Sequence, residues 1–487
     1  MPPVIAAVTP ILGTTIFGSI TVGGLLATVA LSGASYLLNA ALAPKLKGGG
    51  GSLGADQGLK ILSRDPVPAG RLIMGRALVG GALFFLEVKP PYLYYGVVIA
   101  SHEIDAVEEI RLGGRNVFPD QNGFATAGPY ADATQSYAQF SVRLGTAAQA
   151  IDPILAADFP ELPSTFRQRG HATVVCKLDY GGTAANHEIV WGSSQPSPLF
   201  LVRGAKIFDP RRPAHLTTDP ATWEWTDNAS LVQAWWLTHK NGGKRDWAQI
   251  DLDSLKTAAS NDDQAVGLKA GGSEKRWTAN GVVLLTEEPF DVLTNLMTAN
   301  LGMLVWRDGK YSFVSGGPRF PTWTLNDDAA RGDLQLRYDR PRRDLVNTVD
   351  TVFTAPDREY QLSNGPTISD AAYIAADGEE HRITTRLPFT ASHTRAQRIA
   401  RVLLESARRG RLVSAPYSID ALRLSASDII NLESGAAFGA AGIYRLMGLK
   451  LTENFEWEVT AEQWDNDVWR WTPAIDERDF TLEPAGL

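Results

Sequence analysis

Residues 289–314 read PFDVLTNLMTANLGMLVWRDGKYSFV, and this stretch holds both kinds of element from which the chain is built. Pro289 suits the first position of a helix, where its missing N–H would have no partner anyway. Phe290, Leu293, Leu296, Met297 and Leu301 then recur at helical spacing, and Gly302 stops the run. Met303–Trp306 form a strand, Arg307-Asp308-Gly309-Lys310 carry the Asp-Gly pair of a hairpin turn, and Tyr311–Val314 return. The apolar helix positions are expected to be buried against the hairpin that holds Trp306 and Phe313. The pattern is α+β.

Further along, residues 345–470 are strand-rich around one helix from about Ser392 to Arg409. Ala396, Ile399, Ala400, Leu403 and Ala407 make its apolar stripe. Arg395, Arg398, Arg401, Arg408 and Arg409 take the other face with a single Glu405, which reads as a solvated face or one paired with acids at a subunit contact, rather than a phosphate reader. Before residue 289, Thr226 or Asp227 caps a helix carrying Leu231, Trp235 and Thr238, with Gly242-Gly243 as its stop. Residues 60–200 are almost all strand. Ala82–Val88, Tyr92–Ser101, Val107–Leu112, Tyr137–Leu144 and His171–Tyr180 are β-branched or aromatic runs bounded by glycine-rich turns. In the last of these, Ala172, Val174, Cys176, Leu178 and Tyr180 share one face, as in a half-buried strand.

The whole composition agrees. A chain of 487 residues is too long for one core and suggests about three domains. Hydrophobic residues at 44% and charged residues at 21% describe a folded chain, and 45 glycines with 28 prolines call for many turns and short strands. A net charge of −8 argues against sequence-reading of DNA or RNA, since a protein that neutralises phosphates usually has the opposite balance. Cys176 is the only cysteine, so an intramolecular disulfide framework and any site needing two thiolates are excluded.

The first 44 residues differ from the rest. No charged side chain occurs from Met1 to Pro44, after which Lys45 and Lys47 arrive together. Residues 4–43 are expected to form apolar helices, with a span over 14–42 long enough to cross a bilayer or line a channel. Ser19, Gly23 and Ala27 fall four apart, a spacing that lets apolar helices pack closely, while Pro10 and Gly23-Gly24 are natural breaks. Gly48 to Gly54 follow as a flexible linker.

Chemistry-bearing motifs are sparse. Gly49-Gly50-Gly51-Ser52-Leu53-Gly54 spells a dinucleotide fingerprint but follows no strand. Cys176 has His171 and His187 nearby in sequence, yet it points to the apolar side of its strand, where a thiol stays protonated. His102-Glu103-Ile104-Asp105 could ligate a metal but reads as a solvated strand end. Trp223, Trp225, Trp235, Trp236 and Trp247 suggest a sugar platform, though Trp235 belongs to a helix stripe. No catalytic, cofactor-binding or metal residue is assigned, and no cofactor is expected.

Four segments carry a family resemblance. They are Leu201-Val202-Arg203-Gly204-Ala205-Lys206-Ile207-Phe208-Asp209-Pro210-Arg211 with Trp225-Thr226-Asp227-Asn228-Ala229 and the helix through Trp235 to His239; Ala279-Asn280-Gly281 with the 290–314 unit; Leu336-Arg337-Tyr338 with Asp344-Leu345-Val346-Asn347-Thr348-Val349; and the helix from Arg395 to Leu404. In order and spacing, residues 200 to 460 resemble the central baseplate hub, or tail tip, proteins of long-tailed phages, in the hub portion of lambda-type tip attachment proteins.

That resemblance implies a non-enzymatic virion protein of the tail tip. Its fold would be β-rich α+β, with two tail-tube-like β-barrels and a mixed α/β middle domain; the apolar helical N-terminal segment is read from this chain's own residues, and its charge-free start departs from the lambda-type proteins. Composition and resemblance together give the division 1–44 apolar segment, 45–59 linker, 60–200 first barrel, 201–344 mixed domain, 345–470 second barrel with one helix, and 471–487 tail. It further implies a homotrimer forming a pseudo-sixfold ring that joins the sixfold tail tube to a threefold tip and contributes to the DNA ejection channel. Expected partners are distal tail and tail tube proteins, the tape-measure protein and other tip or fibre proteins, with a host membrane as an alternative contact for residues 4–43. Two other classes remain at this point. One is a carbohydrate-active cell-wall hydrolase or binding protein of the tail, which needs a carboxylate pair in a groove. The other is a membrane β-barrel, which needs alternating strands throughout.

Overall fold

The computed structural model describes residues 15–16, 20–21, 62–65, 67–180, 184–191, 196–337, 345–433, 440–452 and 454–480. The first β unit is a sandwich. Its strands are β1 (Arg71–Met74), β2 (Arg76–Val79), β3 (Ala82–Lys89), β4 (Tyr92–Ala100), β5 (Ala106–Leu112), β6 (Arg115–Val117), β7 (Ala138–Arg143), β8 (Ala172–Asp179) and β9 (Pro198–Arg203). One antiparallel sheet runs β3-β4-β8-β7 and the other β2-β9-β5-β6. Both contribute to one core: Tyr95, Val97, Val174 and Cys176 from the first meet Val79, Ile110, Phe200 and Val202 from the second. These positions alternate along their strands, as period two requires.

Strand β8 is covered on both faces rather than one. Val175 packs with Tyr94, Ile154, Leu155 and Phe159, because α1 (Pro153–Asp158) lies across the outer face. Asp152 caps that helix by accepting from Ile154 N at 2.9 Å.

The middle of the chain is helical. Helix α2 (Ala229–Thr238) is buried at every position from Ala229 to Leu237. Its cap is Asn228, not Thr226 or Asp227: Asn228 Oδ1 accepts from Leu231 N, while its Nδ2 donates to Ala259 O at 2.8 Å. Asn228 therefore satisfies α2 and ties it to α3 (Leu252–Asp262) in one residue. Strand β10 (Gly281–Leu284) reaches back to pair antiparallel with β1. Helix α4 (Pro289–Thr298) starts at Pro289 as expected. Hairpin β11 (Met303–Arg307) and β12 (Lys310–Val314) turns through Asp308 at φ +51° and Gly309 at φ +78°, the left-handed pair that a two-residue turn needs. Leu293, Leu296, Leu301 and Phe313 are buried together, with Phe290, Met297 and Trp306 packed against them.

Helix α5 (His393–Arg408) belongs to that same core. Ile399, Ala400 and Leu403 pack against the strand Thr348–Ala355 in the same core cluster as α2 and α4, so residues on both sides of position 344 share one apolar interior. Thr348–Ala355 pairs with Gln361–Asn364, Ile368–Ser369 and Arg382–Leu387. The second β unit is a six-stranded sheet in the order Trp323–Leu325, Ile429–Leu432, Gly442–Leu451, Trp457–Gln463, Leu412–Tyr417, Gln335–Arg337. One face of it holds a separate core that includes Leu325, Tyr417, Ile430, Tyr444 and Val459.

Neither β unit closes as a barrel among the described residues. Both outer strands of the six-stranded sheet, Trp323–Leu325 and Gln335–Arg337, and one outer strand of the sandwich, Arg115–Val117, have three residues each, while the sandwich's other outer strands run from four to eight. Closing a barrel requires edge strands long enough to pair with one another in a staggered register. The expected helix over 14–42 is also interrupted, since Thr15–Ile16 pairs antiparallel with Ile20–Thr21. All four residues are β-branched, which favours extended backbone. Ser19, Gly23, Ala27, the Gly48–Gly54 linker and the end of the tail, 481–487, lie outside the described residues. No helix among the described residues is long and apolar enough to cross a membrane.

Candidate functional site

The strongest concentration of charge surrounds α5. Ser392 caps the helix, accepting from Arg395 N at 3.3 Å. Glu274 then receives two guanidinium groups, Arg398 Nη1 at 2.8 Å and Arg395 Nη2 at 3.2 Å. Thr394 Oγ1 donates to the same carboxylate, and Ser392 Oγ donates to it at 3.0 Å. Burial pushes the Glu274 carboxyl up, but Arg395 and Arg398 more than offset it and hold it below the ordinary value. Arg401 pairs with Asp476, Arg408 with Asp377, and Arg409 with Glu405 and Asp465.

These arginines are paired within their own chain, rather than forming the solvated face that the sequence suggested. Acids far away in this chain neutralise them. Glu274, Asp377, Asp465 and Asp476 carry no local signal that marks them as partners; the fold alone brings them to the helix.

The chain from Trp464 to Phe480 straps across α5. Trp471 lies 6.0 Å from the Arg398 guanidinium and Trp277 lies 5.7 Å from it, so the cation sits near two indoles. Gln397 clamps the strap backbone, donating to Arg478 O at 3.1 Å and accepting from Arg478 N at 2.7 Å. Phe480 stacks on His393 at 5.2 Å and meets Phe353 edge-on. A cleft beside the strap is lined by Leu301, Ser406, Arg409, Arg445, Glu462 and Trp469 among others. Its acids are engaged: Glu462 accepts from Arg445 at 2.7 Å, and Asp465 from Arg409 at 2.6 Å. Burial raises Asp465, yet the Arg409 hydrogen bond, the Asp467 backbone N–H and the Arg409 charge together outweigh it and leave the carboxyl below its usual value. A general acid for glycoside cleavage needs the reverse shift.

A second network lies inside the helical middle and is not visible from spacing. Asp262, fully buried at the end of α3, accepts from Ser230 N at 2.7 Å and Ser230 Oγ at 2.6 Å, and also from Ser315 Oγ. Asn300 Nδ2 donates to Ser230 Oγ at 3.2 Å, and Gln233 donates to Asn300 Oδ1 at 2.8 Å. Burial pushes the Asp262 carboxyl up to about 6 even against these donors. The cluster joins α2, α3, β12 and the turn after α4.

The residues singled out from sequence are scattered. Cys176 is fully buried in the sandwich core, and burial pushes its thiol far above the ordinary value. His171 lies exposed at the strand end, while His187 meets the Tyr180 ring edge-on at 4.5 Å. His102 uses Nε2 to accept from Ile73 N at 2.9 Å, Glu103 pairs with Lys206 and Asp105 with Arg203, so that tetrapeptide serves local structure. The tryptophans divide among three places. Trp223 and Trp247 cluster with Phe208, Trp225 lies under Arg76 and Arg203, and Trp235 and Trp236 are core. The Gly49–Gly54 motif lies outside the described residues.

Residues 288–449 match the model of the Phage-tail_3 family, described as "Putative phage tail protein". That span takes in α4, its hairpin, α5 and most of the six-stranded sheet. The fold as a whole is similar to a chain from the virion of a native gene transfer agent particle, with a TM-score of 0.61 and 15% identity over 96% of this chain and 98% of the other. A prophage tail protein gp18 from Listeria monocytogenes EGD-e covers 39% of this chain and 55% of its own at 8% identity, with a TM-score of 0.24. The 43 kDa tail protein of prophage MuSo2 from Shewanella oneidensis covers 84% and 97% at 8% identity, with a TM-score of 0.26.

Proposed function

We propose that the chain is a structural component of a phage-type tail and acts at its tip as the hub. The observation that carries this reading is the near end-to-end fold likeness to a chain of a virion particle, joined to the tail-family match over residues 288–449. Its work is assembly, without turnover: the buried charges around α5 are matched to fix a shape, and the acids of the neighbouring cleft are held by arginines.

In this reading three copies form a ring. Each contributes the sandwich and the six-stranded sheet, so that six β units surround a threefold axis and join a sixfold tube to a threefold tip. The partners would be distal tail and tube proteins, the tape-measure protein and further tip or fibre proteins. Residues 4–43 would act in DNA delivery, against the tape-measure protein or at the host membrane. The net charge of −8 suits a passage through which DNA must slide without sticking.

Mass photometry of the chain lacking residues 1–44 tests the assembly, and three copies are expected. A stable monomer at high concentration, or a ring of six chains, would sink the proposal. Clear hydrolysis of peptidoglycan that disappears on mutation of one acid would favour the enzymatic alternative instead.

A further inference from the structure

Strand β1 lies in a seam between two cores. Leu72 and Met74 belong to the core of the helical middle, whereas Ile73 between them belongs to the sandwich core. Its partner β10 divides the same way. Val283, opposite Leu72, joins the helical core, and Val282, opposite Ile73, packs on the sandwich core. The backbone of Ile73 bonds outside this ribbon: its carbonyl accepts from Ala205 N at 2.9 Å and its N–H donates to His102 Nε2 at 2.9 Å. His102 follows β4, and its ring lies 6.0 Å from that of Trp235 on α2. Trp235 in turn lies 4.6 Å from the ring of His239, just past the end of the helix.

Both histidines are held neutral by their partners. His102 Nδ1 lies 2.7 Å from Glu103 O, which can only accept, so the ring's one proton sits there. Nε2 then keeps the lone pair that the Ile73 N–H needs. His239 Nδ1 accepts from Asn241 N at 3.2 Å, which places its proton on Nε2. A second proton on either ring would set N–H against N–H.

We propose that His102 and His239 are an acid-released latch on this seam, holding β1 and the end of α2 about Trp235 when neutral and letting the ribbon open when protonated. Charged groups near the two rings are cations or paired acids. The segment after β4 carries Glu103, paired with Lys206 at 3.2 Å, and Asp105, paired with Arg203. Strand β1 carries Arg71 two residues before Ile73, and the turn after α2 carries Lys240, Lys244 and Arg245. Among the described residues, no carboxylate charge draws a proton to either ring. Burial lowers the His102 imidazole from 6.5 to about 4, with the Glu103 carbonyl opposing and the His239 charge adding to it. Burial and the Lys240 charge bring His239 to about 4 as well. Opened rings regain the ordinary value, so the latch is complete above about 6.5 and is lost as the pH falls toward about 4. It does not rest on the tail reading, which stands whether or not the seam opens.

Hydrogen exchange by mass spectrometry on the full chain reads the opening of β1 and β10, once corrected for the intrinsic rate at each pH. In wild type the opening constant should rise below about pH 6.5, by up to about 100-fold per pH unit for two protons taken up, while β8 keeps its protection. His102→Gln sets an amide oxygen where Nε2 accepts and cannot titrate, and His239→Asn does the same for Nδ1. Each should reduce the slope to about tenfold per pH unit, and the double variant should abolish it. Should His102→Gln disturb the fold at neutral pH, His239→Asn carries the same test. A wild-type opening constant independent of pH, an acid loss of protection that extends equally to β8, or an unchanged slope in a folded variant overturns the latch.

Discussion

At the residue scale, two buried carboxylates have opposite environments and should respond oppositely. Glu274 is surrounded by guanidinium groups. Glu274→Ala would leave Arg395 and Arg398 enclosed without a counter-charge, at a cost of ~3–5 kcal/mol in urea denaturation. Adding Arg398→Met should recover part of that loss, and a simple sum of the two effects would show that the pair does not interact. Asp262 has only neutral donors. Its carboxyl is raised from 3.8 to about 6, so its contribution to stability is complete below the unfolded value and is lost as the pH rises through about 6. The size is on the order of 3 kcal/mol at most. Asp262→Asn should flatten the fall in melting temperature between about pH 4 and about pH 7. Parallel curves for variant and wild type would mean that Asp262 stays ionised throughout.

At the element scale, helix α4 and its hairpin were legible because each local signal agrees with the packing. Pro289 starts the helix, the apolar stripe faces the core and Asp308-Gly309 takes the left-handed turn. Leu293 is fully buried, so Leu293→Ala should cost ~2–5 kcal/mol of unfolding free energy. A loss below about 1 kcal/mol would mean that the site collapses around the cavity. The Arg face of α5 was misread for a plain reason. A run of arginines on one helix face looks solvated until acids remote in the chain, 124 residues before it at Glu274 and 75 after it at Asp476, are folded onto it. Strand β8 shows the same limit, since nothing in its alternation tells that α1 will cover the second face.

At the scale of the whole molecule, the charge-free first 44 residues are the part most unlike the rest. If they take part in delivery, particles lacking them should assemble and adsorb but eject DNA poorly, measured as DNA release on adsorption. Ejection equal to the parent would reduce the segment to a passive anchor. The strap bears on integrity instead. Ending the chain after residue 463 removes Asp476 from Arg401 and Trp471 from Arg398, and the body should then melt several degrees lower.

The sequence by itself determined the class of the elements and much of their placement. Period-two runs gave the sandwich strands, the 3.6-residue stripe gave α4 and α5, and the Asp-Gly dipeptide gave a hairpin, because each rests on interactions within a few residues. Cys176 was assigned to a core by alternation alone, and it lies there. Only the tertiary structure decided that the sheets stay open, that α5 shares a core with α2 and α4, and which acids meet which arginines. These are contacts between residues distant in the chain, and neither charge nor hydropathy at one position specifies its remote partner. Arg398 is the sharpest instance: in sequence it is one arginine on a helix face, and only the fold brings the Glu274 carboxylate to it at 2.8 Å.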